Sequence, residues 1–177
     1  MAGLPGAGEG DEVSPSPVER LVGLLALGGA ALATLLVIVT LVVVGYSVIM
    51  RYLLGTPITG TDEFAGYAVI AIVMLGAGDA LLKGDHFGVD LLTARLKGGG
   101  RRLATIWGMI AVLLFAAAII YSAVLMVRFS YGFEMYSAGY LEMPMWIPQS
   151  VLLAGAVLLA AATLGRLASL FMDTFRR

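Results

Sequence analysis

The chain contains no cysteine and a single histidine, His86, and only 13% of its 177 residues are charged. Without cysteine there is no disulfide framework, no thiol chemistry, and no cysteine-held zinc or iron–sulfur cluster. One histidine excludes a bis-histidine haem carried by this chain alone. The charges nearly cancel, with 11 Lys and Arg against 12 Asp and Glu, and the isoelectric point is about 5.7. There is no basic surplus to grip nucleic acid. Soluble domains run at about 45–50% apolar and about 25% charged residues. Here 60% of residues are hydrophobic and the mean hydropathy is +0.95. That composition excludes a soluble globular domain and a disordered chain, and it leaves a small integral membrane protein.

A helix crosses the roughly 30 Å hydrocarbon core in about 20 apolar residues. Four runs meet that length, at 21–50, 64–82, 103–127 and 145–165. None alternates as a barrel strand would, and backbone groups in lipid must be satisfied within each segment. The expected fold is therefore all-α, with four transmembrane helices. The first run is too long for one upright crossing and must tilt, project, or begin in the interface.

Residues 1–17 read as a flexible cytoplasmic tail, and 18–177 as the membrane domain. The tail is rich in Gly, Pro and acids and lacks the basic start of a signal peptide. With four spans, the two termini and the middle loop share a side and hold nine Lys and Arg, against two (Arg51 and Arg128) on the other. The excess places both termini in the cytoplasm.

The middle segment, KGDHFGVDLLTARLKGGGRR, suits a short amphipathic interfacial helix stopped by Gly98-Gly99-Gly100. Phe87, Leu91 and Leu92 form its apolar side. A metal site built on His86, Asp85 and Asp90 lacks a further His or Cys, and an ordinary polar histidine at the interface is the better reading.

Asp79 is the one acid inside a run. Intramembrane acids face protein rather than lipid and mark functional candidates. Lys83 stands at i+4, so a local pair is the favoured reading, ahead of a contact with another subunit or ion handling. Gly76 and Ala80, with Gly78 between them, suit close helix approach. Glu63 and Asp62 open the second run where acids oppose the helix dipole, and Thr61 or Asp62 is the expected cap. Arg51 either bridges to these acids or reaches lipid phosphate. The segment RFSYGFEMYSAGYLEMPMWIP gathers aromatic residues as an interfacial belt does. Pro144 and Pro148 flank Trp146 at the start of the fourth run, where proline is tolerated. No triad, zinc motif or phosphate loop is present, so no enzyme is expected.

Taken in order, these landmarks resemble the small membrane subunit of tripartite ATP-independent periplasmic (TRAP) transporters, the DctQ-like family. The match runs through Arg51-Tyr52 closing helix one, Glu63 opening helix two, and a Leu75-Gly76 step within it. It continues through His86, Val89 and Asp90, and through Leu141, Pro144, Trp146 and Pro148 leading into helix four. It covers roughly residues 40–165. The family often carries a Trp three residues before the acid of helix two, and here that position is Gly60.

The resemblance implies a location in the bacterial inner membrane and a role in sodium-coupled uptake of organic acids. It implies an obligate partner, the large membrane subunit that moves substrate by an elevator motion, and a transient one, the periplasmic solute-binding protein. Beyond these and membrane lipid it implies no cofactor. The physics agrees with a static brace, since the chain is apolar, anchored at both interfaces and poor in internal charge. Two rival readings are a homo-oligomeric transporter or channel using Asp79, and the membrane anchor of a redox complex.

Overall fold

A computed structural model describes residues 17–83 and 99–175. Four helices account for most of them: α1 Pro17–Leu53, α2 Thr61–Lys83, α3 Gly99–Gly132 and α4 Trp146–Phe175. All four are long and apolar enough to cross a membrane. The all-α membrane architecture expected from the sequence is therefore the observed one. The proposed interfacial helix, with His86, Val89 and Asp90, lies outside the described residues.

The helices overrun the hydropathy boundaries, because a helix does not end where its apolar stretch does. α1 is one uninterrupted helix of 37 residues, about 55 Å at ~1.5 Å per residue. It stays continuous over a length greater than the bilayer core. Pro17 stands at its start, where the absent N–H costs nothing. Of the three glycines expected to stop the interfacial helix, Gly99 and Gly100 are the first residues of α3. The α1–α2 and α3–α4 connections shrink accordingly to residues 54–60 and 133–145.

Among the described residues α1, α2 and α4 all touch one another, whereas α3 packs on α4 alone. The result is a three-helix wedge with a fourth helix laid against one edge. It differs from a closed bundle, in which every helix would bury a face on two neighbours. Between helices in lipid there is no hydrophobic driving force, so packing must come from close approach of small residues. The buried positions show this. Ala26, Ala33 and Ser47 on α1 are buried at multiples of seven residues, as are Met109, Ala116, Ala123 and Ser130 on α3 and Ala156 and Thr163 on α4. A seven-residue repeat keeps one seam facing its neighbour through left-handed packing. Thr163 keeps its hydroxyl satisfied by donating to the Leu159 carbonyl at 2.7 Å.

Two glycines set the closest approaches. A β-carbon at Gly29 of α1 would stand 2.8 Å from the Leu75 carbonyl oxygen. One at Gly155 of α4 would stand 2.6 Å from Met74 Cβ and 2.7 Å from its carbonyl. Both glycines press on α2 at the same level, from two sides. At Gly76, the glycine singled out from the sequence, a β-carbon would sit 3.9 Å from Ala33 Cβ, an ordinary contact.

Burial is uneven. In the most apolar stretch, 28% of residues are buried for α2 and α4, but only 11% for α1 and α3. Trp107, Leu114, Phe115 and Tyr121 on α3 are among the side chains left exposed. Those surfaces are available to acyl chains or to another membrane protein.

Candidate functional site

The connection between α3 and α4 is built as a small hairpin. α3 ends with Glu134 in the left-handed region at φ 48°. The Met135 N–H reaches back to the Ser130 carbonyl at 2.9 Å, and the Glu134 N–H reaches Tyr131 at 3.4 Å. This paired closure is the usual way to satisfy the last carbonyls of a helix, with glycine as the usual residue at the turning point. Here glutamate occupies it. The chain then runs out and back, joined by Ser137 N–H to Met143 O and Met145 N–H to Met135 O, each 2.9 Å. Glu142, at φ 44°, makes the second left-handed turn.

The hairpin is fastened to the first turn of α2. Leu141 N–H donates to Glu63 Oε2 at 3.2 Å. The Tyr67 hydroxyl donates to Glu63 Oε1 at 3.1 Å and also lies 3.1 Å from Ser137 Oγ. Met145 Sδ is 3.6 Å from the same hydroxyl. The Gly139 N–H donates to Ser137 Oγ at 3.3 Å. The Glu63 carboxylate fills the space that a β-carbon at Gly139 would need. Glu63, expected to favour the helix dipole, thus also accepts one bond from a loop more than seventy residues away in sequence and one from Tyr67 in its own helix.

The cap of α2 differs from the expectation. Gly60 takes the cap position, its carbonyl accepting the Phe64 N–H at 3.0 Å. Thr61 is buried and its hydroxyl points back to Ile58 O at 3.3 Å. Gly60 is at φ 86°, and a β-carbon there would stand 3.1 Å from Leu141 Cγ. Leu141 therefore occupies the place where a tryptophan side chain at position 60 would begin.

At the other end of α2, Arg166 of α4 donates through Nη1 to the carbonyls of Leu81 and Leu82. A cation there satisfies orphan carbonyls and opposes the dipole. Asp79 and Lys83 pair at 2.6 Å, with side-chain exposures of 15% and 59%. They lie on a groove of about 320 Å³ between α1 and α2, lined also by Gly76, Ala80, Ala30, Ala33 and Thr34.

The remaining sequence-derived candidates among the described residues fall around the hairpin end. Arg51 and Tyr52 are exposed on the last turn of α1, and among the described residues Arg51 forms no ion pair with Asp62 or Glu63. Trp146 starts α4 and meets the Tyr131 ring edge-on at 6.2 Å. The Pro144 carbonyl accepts Ile147 N–H at 3.1 Å, and Pro148 sits in the first turn, where it displaces no helical bond. Sequence reading missed Tyr67, Ser137 and Arg166. Tyr67 carries a usable signal, since i+4 from Glu63 puts both on one helix face.

α2 is thus held at three levels: by Glu63 and Tyr67 at its N-terminal end, by Gly29 and Gly155 midway, and by Arg166 at its C-terminal end. No curated protein and no solved structure matches this chain. A family model described as "Tripartite ATP-independent periplasmic transporters, DctQ component" matches residues 40–173, a span that contains the Glu63–Tyr67 clasp, the Met74–Gly155 contact and Arg166. The chain belongs to the DctQ component family of TRAP transporters.

Proposed function

We propose that the chain is the static small subunit that braces the large elevator-type subunit of a TRAP transporter. Transport in this reading is sodium-coupled, dependent on a periplasmic binding protein, and directed at an organic acid or related small solute. The chain sits in the bacterial inner membrane with both termini in the cytoplasm, as the distribution of Lys and Arg favours.

The observation that carries the reading is the three-level hold on α2, combined with four uninterrupted helices. Transporter elements that bind substrate at the midplane use broken helices, whose free termini meet the ligand. α1 to α4 are each continuous, and the long-range polar contacts on them tie α2 to the hairpin through Glu63 and Tyr67 and to α4 through Arg166. A rigid body with wide apolar flanks suits the fixed side of an elevator. The exposed Arg51 and Tyr52 at the outer end are proposed partner contacts, and so is the α1–α2 groove with Gly76, Asp79 and Ala80. The pairing of Asp79 with Lys83 within one helix turn weighs against an ion path through Asp79.

The test is purification of the tagged chain in mild detergent from its native host. A large polytopic protein is expected to co-purify in fixed ratio. Recovery of the chain only with itself contradicts the reading and favours a homo-oligomer.

A further inference from the structure

Where α1, α2 and α4 converge at the Arg166 end, they leave an open cleft of about 270 Å³ lined by Val22, Leu82, Gly165, Arg166 and Ser169. Arg166 brings a half-buried positive charge to it. A guanidinium has five N–H donors in a fixed fork. Nη1 is used on the Leu81 and Leu82 carbonyls. Among the described residues Nη2 and Nε have no hydrogen-bond partner, and no carboxylate pairs with the charge. Carbonyl oxygens disperse such a charge without cancelling it. Ser169 places a hydroxyl beside it, donating to the Arg166 carbonyl at 2.9 Å and keeping acceptor capacity. The neighbouring walls, Val22 and Leu82, are apolar. A β-carbon at Gly165 would meet nothing within 4 Å, so the space next to the guanidinium is open.

A planar cation with free donors, set in a cleft between helices at the end of the membrane span, matches phosphate geometry. Basic pockets between helices on the cytoplasmic side are suited to anionic headgroups. The cleft is slightly smaller than the pockets of about 300–1,000 Å³ that drug-sized ligands occupy, a size that suits a headgroup alone, with the acyl chains left in the bilayer. We propose that it is a binding site for the phosphate of an anionic phospholipid, with Arg166 as the binding residue and Ser169 beside it. The site does not depend on the transporter reading; only its assignment to the inner leaflet rests on the proposed sidedness.

The full chain, purified in mild detergent and delipidated, is titrated with phosphatidylglycerol, phosphatidylcholine or inorganic phosphate and followed by native mass spectrometry. This readout is independent of sidedness and of any partner. Phosphatidylglycerol is expected to bind about tenfold more tightly than phosphatidylcholine, because both offer a phosphodiester but the choline ammonium offsets its charge and repels the guanidinium. Arg166→Gln is expected to abolish that preference. Because Arg166 also caps α2, a second variant, Gly165→Leu, fills the cleft and leaves the guanidinium in place. It is expected to lower phosphatidylglycerol binding by a similar factor. Equal binding of the two lipids overturns the proposal, as does undiminished binding by Gly165→Leu. Inorganic phosphate binding as tightly as phosphatidylglycerol overturns the lipid assignment.

Discussion

Gly155→Ala is expected to destabilise the helix assembly by about 1–3 kcal/mol, the usual range for forcing extra volume into a packed contact. The added methyl would stand 2.6 Å from Met74 Cβ and 2.7 Å from the Met74 carbonyl. The opposing group is backbone, so a rotamer change cannot relieve the clash, and α4 must move away from α2. Once the two helices separate, the small residues along the seam lose the contacts that hold it, because lipid does not otherwise drive helices together. Gly45→Ala is the matched control: a β-carbon at Gly45 meets nothing within 4 Å. It is expected to be neutral or slightly stabilising, since alanine is the better helix former. Thermal unfolding in detergent checks both. Equal stability of Gly155→Ala and the unsubstituted chain contradicts the close approach of α2 and α4.

Glu63→Ala is expected to release the hairpin. The carboxylate accepts from Leu141 N–H and from the Tyr67 hydroxyl. Hydrogen bonds to a charged group contribute about 1.5–3 kcal/mol each, less where water can replace them. Glu63 is half-buried and its bond to Leu141 is exposed, so about 1–3 kcal/mol in total is the expected loss. The effect falls on local opening rather than on the whole fold, because the hairpin's own bonds to Met143 and Met135 remain. Chymotrypsin cleavage near Tyr140 and Leu141 is expected to accelerate by about tenfold or more, at 1.4 kcal/mol per factor of ten. Glu63→Gln should be milder, because its amide oxygen still accepts from Leu141 and its nitrogen can donate to Tyr67. An unchanged cleavage rate in Glu63→Ala removes the clasp from the account.

Four spans were legible because apolar length is a one-dimensional property that the bilayer enforces. Glu63, Trp146 and Pro148 were legible because helix starts constrain residue type. Which glycines matter was not. Gly76 and Gly78 resemble Gly29 and Gly155 in sequence, but the distinction depends on what another helix places opposite each one. The seven-residue seams also escaped a hydropathy reading. They are written in Ala, Ser and Thr against Leu and Val, a contrast of size and not of polarity. A search for small residues at that spacing would have marked Ala116, Ala123 and Ser130. The link from Glu63 to Leu141 depends on a hairpin whose two left-handed residues, Glu134 and Glu142, are not the glycines that usually announce such turns. The cap was placed on Thr61 or Asp62 because those side chains are good acceptors, whereas Gly60 takes it through its freedom to turn at positive φ.

The proposed bracing role has a direct physical basis. An element held at both ends and in the middle does not move past its neighbours, so it offers a fixed wall against which a partner slides. α2 has that character, and α1 and α3 carry the broad apolar surfaces through which such a wall meets lipid and partner.

Reconstitution tests the central claim most directly. In liposomes the chain alone, under a sodium gradient, is expected to carry neither organic acid nor ions. Uptake is expected to appear when the large membrane subunit and the binding protein are added. Solute or ion flux through liposomes containing this polypeptide by itself would contradict the account.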